Sequence, residues 1–365
     1  MKTIYSSILL LFMIPALVCA HPKTDLKGKY TKEKSLKKEF DVNSDALMII
    51  SNTYGNLDIT SWNENRIVME IKIKVSGNDE EKVIDKLKSI DVDFSASPEM
   101  VSAKTIFDKD NDSWWGKWTS GWNNNVNMKI NYIVKVPVTN KVDLDNNYGS
   151  ITLDKIKGTA NINCDYGQII LGELLGDNNY INIDYTDNST IEYMKNGKIN
   201  ADYSGFEVMS AEQIDLNADY TQSRFNTIKE LNYNCDYGGI RINSADMING
   251  NGDYLKTKIG EIGKSVTISS DYGSLGIKKL KPSTKSVTIK TSYSGVAIGF
   301  DNEAKFNFLI KTSYGGIKLD ESIQLEKTQK HSNRKEYEGY YGSANSGNNI
   351  TVSSSYGSVK IINNQ

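Results

Sequence analysis

The sequence predicts an all-β chain, most of it a parallel β-helix. Three observations lead there: one tyrosine motif recurs at nearly constant spacing, apolar and polar residues alternate with period two on both sides of it, and the repeats lack the periodicity near 3.6 that helical repeats need. Twelve of the 21 tyrosines among the 365 residues share the motif. They are Tyr54, Tyr148, Tyr166, Tyr185, Tyr203, Tyr220, Tyr237, Tyr254, Tyr272, Tyr293, Tyr314 and Tyr356. From Tyr148 onward the intervals are 18, 19, 18, 17, 17, 17, 18, 21, 21 and 42, the last reading as two periods of 21 with an insertion.

Within each repeat the even positions before the tyrosine are apolar or small. Leu144, Ile162, Ile181, Ile199, Leu216 and Ile268 stand four before it, and Cys164, Ala201, Ala218 and Cys235 two before it. After it the parity switches, with Ile151, Ile169, Phe206 and Ile240 three on, and Leu153, Leu171, Val208 and Ile242 five on. Two half-buried strands per repeat follow. About 18 residues at ~3.3 Å make a coil ~60 Å around, and coils ~4.8 Å apart build a rod of about 50 Å. One coil cannot bury its own apolar side, so stacking supplies the core. Residues 139–365 are therefore read as β-helix repeats of about 17–21 residues per coil, with a polar insertion at 322–349. The tyrosines share the parity of the apolar column, which places them inward or at a corner.

Ahead of the repeats, residues 1–20 read as a signal peptide: Lys2, an apolar stretch from Ile8 to Val18, and a small-residue cleavage site before His21. Cys19 raises a lipid-anchored alternative, disfavoured by Val18 before it. No second apolar stretch of about 18 residues follows, so the mature chain is expected to be exported without a transmembrane segment. Residues 21–138 read as a β-rich N-terminal cap with one motif copy at Tyr54, long strands and one short helix. That helix is capped by Asn78 or Asp79, carries Glu80 and Glu81 in its first turn, and turns Val83, Ile84, Leu87 and Ile90 to one face.

Composition narrows the function. The two histidines, His21 and His331, leave triads and His-ligated metals without ligands. Four arginines in a chain of net charge -2 give no basic stripe, so nucleic acid is not an expected partner. Cys164 and Cys235 hold the same offset four coils apart, ~19 Å along the axis, too far for a disulfide. Both are expected to be buried free thiols.

Two constellations remain as candidate sites. Trp114, Trp115, Trp118 and Trp122 cluster with Gly, Asn and Asp in a loop at 107–122, a pattern that suits sugar rings or a partner surface, or else an irregular core. Asp165, Asp184, Asp202, Asp219, Asp236, Asp253 and Asp271 each precede a motif tyrosine, and Asn163, Asn182, Asn200, Asn217, Asn234 and Asn251 stand two residues earlier. Odd offsets point outward, so both sets form ladders on the surface. Carboxylates ~4.8 Å apart repel by roughly 0.9 kcal/mol in water. They must accept turn amides or hold cations, with Ca²⁺ suited to such oxygens.

The succession Phe40-Asp41-Val42, Tyr54-Gly55-Asn56-Leu57-Asp58-Ile59, Trp62, the strand from Ile67 to Val75, the helix, Tyr132 to Pro137 and Tyr148-Gly149-Ser150-Ile151 resembles the bacterial putative adhesin family of exported β-helix proteins. The resemblance covers most of the mature chain. It implies an exported, envelope-associated, non-enzymatic role, and it brings no catalytic motif. The expectation is a non-catalytic cell-envelope or surface protein, periplasmic or extracellular, that binds a glycan or a protein partner. The rival is a carbohydrate-active β-helix enzyme, a lyase or hydrolase, using paired Asp residues near the ~5 Å separation of a retaining glycosidase. Identical residues in identical surroundings give no means of splitting their pKa values into acid and base, which counts against it.

Overall fold

A computed structural model describes residues 26–107 and 126–364. Its strands join one sheet of 26 among the described residues, a solenoid-like stack. The repeats pair parallel and in register. Gly205–Asp219 lies beside Gln222–Asp236 so that Val208 meets Phe225 and Leu216 meets Tyr233, and Gln222–Asp236 pairs in turn with Gly239–Asp253. In-register stacking follows from the pattern: each inward column, such as Leu144, Ile162, Ile181, Ile199 and Leu216, is buried only when the next coil covers it. A slip of one residue would turn the whole column to solvent.

The N-terminal region closes one end. Tyr30–Asp41 runs antiparallel to Arg66–Gly77, which pairs with Val126–Pro137, and Ile90–Ser97 pairs antiparallel with Met100–Phe107. The helix spans Glu80–Ser89, and its N-cap is Asp79, whose carboxylate accepts the Lys82 amide. No helix among the described residues is long and apolar enough to cross a membrane.

Two departures from sequence order appear, one at each end. Leu47–Thr53 and Leu57–Trp62, which carry Tyr54, lie between the rung of Met100–Phe107 with Val126–Pro137 and the rung of Lys141–Asn147 with Ser150–Ile156. At the other end, Asn349–Ser355 and Val359–Asn363 slot between Ser286–Ser292 with Gly295–Phe300 and Phe306–Ser313 with Ile317–Leu319. The 42-residue interval is therefore not two periods in a row. It holds a hairpin, Gln324–His331 with Arg334–Tyr341, whose second strand lies antiparallel along Phe306–Ser313, and then the return. An outermost parallel rung exposes a row of unpaired amides and carbonyls, and an antiparallel strand laid along it removes them. The polar insertion at 322–349 is thus largely a hairpin.

Candidate functional site

The tyrosine motif makes one edge of the stack. All twelve tyrosines adopt the left-handed region, with φ between 49° and 65°. Such a residue lies outside the strand alternation, so parity does not predict its direction. The rings turn outward: those from Tyr148 to Tyr356 are 47–61% exposed. The inward option read from the sequence is overturned, and the corner option holds. The parity switch itself carried the signal, because inward positions at two before and three after can both be met only if one residue between them leaves the strand.

The rings stack in a single ladder. Tyr203 and Tyr220 stand 4.8 Å apart between centroids and 2° from parallel, and Tyr220 and Tyr237 4.9 Å apart at 4°. Tyr54 stacks on Tyr148 at 5.3 Å across 94 residues of sequence, and Tyr356 stacks on both Tyr293 and Tyr314 at 4.7 Å. Eleven such steps of about 4.9 Å run roughly 54 Å along the rod. Because neighbours cover the faces, the interior of the ladder shows ring edges and hydroxyls. Desolvation within the stack, then the adjoining rings, push the hydroxyls of Tyr166, Tyr203 and Tyr237 up, so they stay protonated donors.

The aspartate ladder runs beside it. Asp202, Asp219, Asp236 and Asp253 each accept the backbone N–H of the aspartate one coil on, at 2.7–3.2 Å, and Asp271 accepts the Ser292 amide. One oxygen of each of these carboxylates is so engaged. Partial burial raises the carboxyls of Asp165 and Asp184, and the neighbouring aspartates add to it. No group of three His, Cys, Asp or Glu able to hold a metal ion occurs among the described residues. Cys164 and Cys235 are buried and unpaired, and burial pushes both thiols up to about 12. Trp114, Trp115, Trp118, Trp122 and the leader lie outside the described residues. The strands on either side of the tryptophan segment end at Phe107 and resume at Val126.

Sequence reasoning missed a hollow in the strand face that carries the asparagines. It measures about 530 Å³ and crosses the five rungs from Tyr220 to Tyr293, with Asp215 at one end and Lys290 at the other. Two features of the sequence coincide with it. The coils from Tyr203 to Tyr254 are the shortest, at 17 residues, and those beyond lengthen to 21. In the rung of Tyr254 the two inward positions are Gly250 and Gly252, where the neighbouring rungs hold Tyr233 and Cys235 or Ile268 and Ser270. A Cβ on Gly250 would overlap the Tyr233 ring, and one on Gly252 would strike the Cys235 carbonyl, so neither position admits a side chain. Asparagines line the hollow, tied across rungs by Asn251 Nδ2 donating to Asn234 Oδ1 at 3.0 Å and Asn232 Nδ2 to Asp215 Oδ1 at 2.9 Å.

No family model matches the chain, and no curated protein does. The chain is similar to bacterial putative adhesins of known structure. One from Parabacteroides merdae is 11% identical, with 72% of this chain and 95% of that chain covered, at a TM-score of 0.35. Another, from Parabacteroides distasonis, is 9% identical over 91% of this chain and 97% of that one, at 0.30. A putative cell adhesion protein from Clostridium sporogenes is 12% identical over 92% and 100%, at 0.19. These likenesses are remote, and the function proposed below rests on the chain's own geometry.

Proposed function

We propose that the chain is an exported, non-catalytic binding protein of the cell envelope or surface, a parallel β-helix that presents one side of its rod to a glycan or protein partner. The observation that carries this is the tyrosine ladder. A non-glycine residue in the left-handed region costs roughly 1–2 kcal/mol. A stacked aromatic pair returns about 0.5–1.5 kcal/mol. Each interior ring makes two such pairs and buries about half of itself, roughly another 2 kcal/mol, so the tyrosines stabilise their turns on balance while leaving the other half of each ring at the surface. What they add is a continuous, half-exposed aromatic strip, the kind of surface that marks an interaction site. The repeated amide bonds to the aspartates support a non-catalytic reading, since they give these carboxylates one shared role.

The test is a glycan array and a surface-adhesion assay on the mature protein, beside a Tyr203/Tyr220/Tyr237→Ser variant and a Trp114/Trp115/Trp118/Trp122→Ala variant. Binding lost with either set supports the proposal and says which surface serves it. Turnover of an arrayed polysaccharide would instead support a carbohydrate-active enzyme. Absence of any binding by the intact protein would reject the proposal.

A further inference from the structure

We propose that the hollow on the asparagine face binds a linear polysaccharide free of anionic groups. This rests on the binding role above and narrows it to one ligand class at one place.

Shape is the first reason. Five rungs at ~4.8 Å make a trough of about 20 Å, open along the rod. Its volume of about 530 Å³ suits a chain of several sugar rings and excludes a folded domain. The rung repeat also lies close to the advance of one ring in an extended β-linked glycan. Successive sugars can then meet successive rungs in the same way.

The lining is the second reason. Asn217, Asn234 and Asn251 form one column, with Asn232 and Asn249 beside it. An amide offers two donors and an acceptor, and a sugar hydroxyl is both donor and acceptor, so amides in a row match a polyol. These side chains are short and already tied across rungs, so little rotamer freedom is lost on binding.

Charge selects within the class. The lining holds one anion, Asp215, and one cation, Lys290, and just outside it Asp219, Asp236, Asp253 and Asp271 stand two residues on from Asn217, Asn234, Asn251 and Ser269, on the side nearest the tyrosines. Phosphate, sulfate and uronate groups would meet like charge at rung after rung. Neutral or amino-bearing sugars would not. A peptide strand is excluded on different grounds. Gly239–Asp253, at the floor, is paired on both sides, with Gln222–Asp236 and Lys256–Asp271, so no free backbone edge remains for strand addition.

The test uses isothermal titration of the mature protein with linear β-linked hexasaccharides, neutral (cellohexaose and its mixed-linkage analogues) and amino-bearing (glucosamine hexamer), against an oligogalacturonate of equal length. The hollow variant is Asn217/Asn234/Asn251→Ala, and the control Asn163/Asn182→Ala changes the same outward column outside the hollow. Circular dichroism and melting curves check that both fold. At least one non-anionic hexasaccharide should bind wild type and control alike and the hollow variant at least about tenfold more weakly, as the loss of a few hydrogen bonds requires. Oligogalacturonate should not bind. The inference is overturned if no non-anionic hexasaccharide binds, or if oligogalacturonate binds as well as they do. It is also overturned if the hollow variant binds as wild type does. Should that same binding vanish in the tryptophan variant, the wider role survives and only the site moves.

Discussion

Replacing Tyr220 tests whether the ladder is strain held by stacking. The ring is 51% exposed and lies between Tyr203 and Tyr237 at 4.8 and 4.9 Å. Tyr220→Ala removes two stacked pairs, about 1–3 kcal/mol, and the half ring already buried, roughly 90 Å² or about 2 kcal/mol. The alanine keeps the left-handed backbone, at φ 52° in the native chain, and so keeps its strain. The expected loss is about 3–5 kcal/mol. Tyr220→Gly loses the same contacts but releases about 1–2 kcal/mol of strain, less about 0.5–1 kcal/mol for the freer unfolded chain. Glycine should therefore be the better tolerated by about 0.5–1 kcal/mol, the reverse of the order expected in an ordinary strand.

A double-mutant cycle separates stacking from burial. Tyr203→Ala with Tyr220→Ala should show a coupling of about 0.5–1.5 kcal/mol, and Tyr203→Ala with Tyr254→Ala, three rungs apart, a coupling near zero. Urea unfolding followed by far-ultraviolet circular dichroism and by tyrosine fluorescence, with coincident transitions, supplies the free energies. Equal losses for glycine and alanine would show that the backbone is not strained. Equal coupling in both pairs would show that the rings act through something other than contact.

The packing beneath the hollow predicts that Gly250→Ala destabilises by about 1–3 kcal/mol through overlap with Tyr233, and that adding Tyr233→Leu recovers most of it; a Gly250→Ala chain melting as wild type does would dismiss the packing argument. Asp165 and Asp184 have carboxyls raised in the fold, so the folded chain holds those protons more tightly than the unfolded one. Their stabilising contribution is present at acid pH and lost as pH rises through the raised values. Asp184→Asn, which keeps an acceptor oxygen, should gain about 1–2 °C in melting temperature at pH 7 and nothing near pH 3, and a gain that persists at pH 3 would point to another cause. Cys164 and Cys235 should react with a thiol reagent at least about 100-fold more slowly in the native than in the unfolded chain, given burial and thiols near 12; native-state labelling at the unfolded rate would contradict the coil register. N-terminal sequencing of the secreted protein should begin at His21, and a blocked, lipid-bearing Cys19 would replace the cleavage site read from the sequence.

What was legible in the sequence was whatever repeats within one coil. Ile162, Ile181 and Ile199 at one offset gave the inward column and its parallel register, and Cys164 and Cys235 at another gave two thiols too far apart to join. The aspartates' bond to backbone amides was foreseen from residue type, though the amide proves to belong to the next coil. The inward option for the tyrosines arose because alternation was carried through a residue that is not in a strand, and the corner option is the one the backbone takes. The hollow escaped because it lies on the outward face over Gly250, and neither that glycine nor Gly252 beside it interrupts the apolar pattern.

Stacking order was illegible for a further reason: spacing tells how long a coil is, not which coil lies next to it. Tyr54 and Tyr148 touch across 94 residues, and Tyr293 reaches Tyr314 only through Tyr356. One segment is wedged a rung inside each end of the stack, Leu47–Trp62 at one and Asn349–Asn363 at the other, with an antiparallel strand pairing with the rung beyond it. Removing the C-terminal segment would leave Phe306–Ser313 two rung spacings from Ser286–Ser292, a gap of about 10 Å that no hydrogen bond spans. The outer rung can therefore complete its pairing only after Asn349–Asn363 has arrived. Fraying from the C-terminus must likewise pull a rung out of the middle of a sheet, not off its edge. This ties the ladder's continuity to the integrity of both ends. The twelve rings thereby form one continuous face whose outermost rungs are each held by a strand from elsewhere in the sequence.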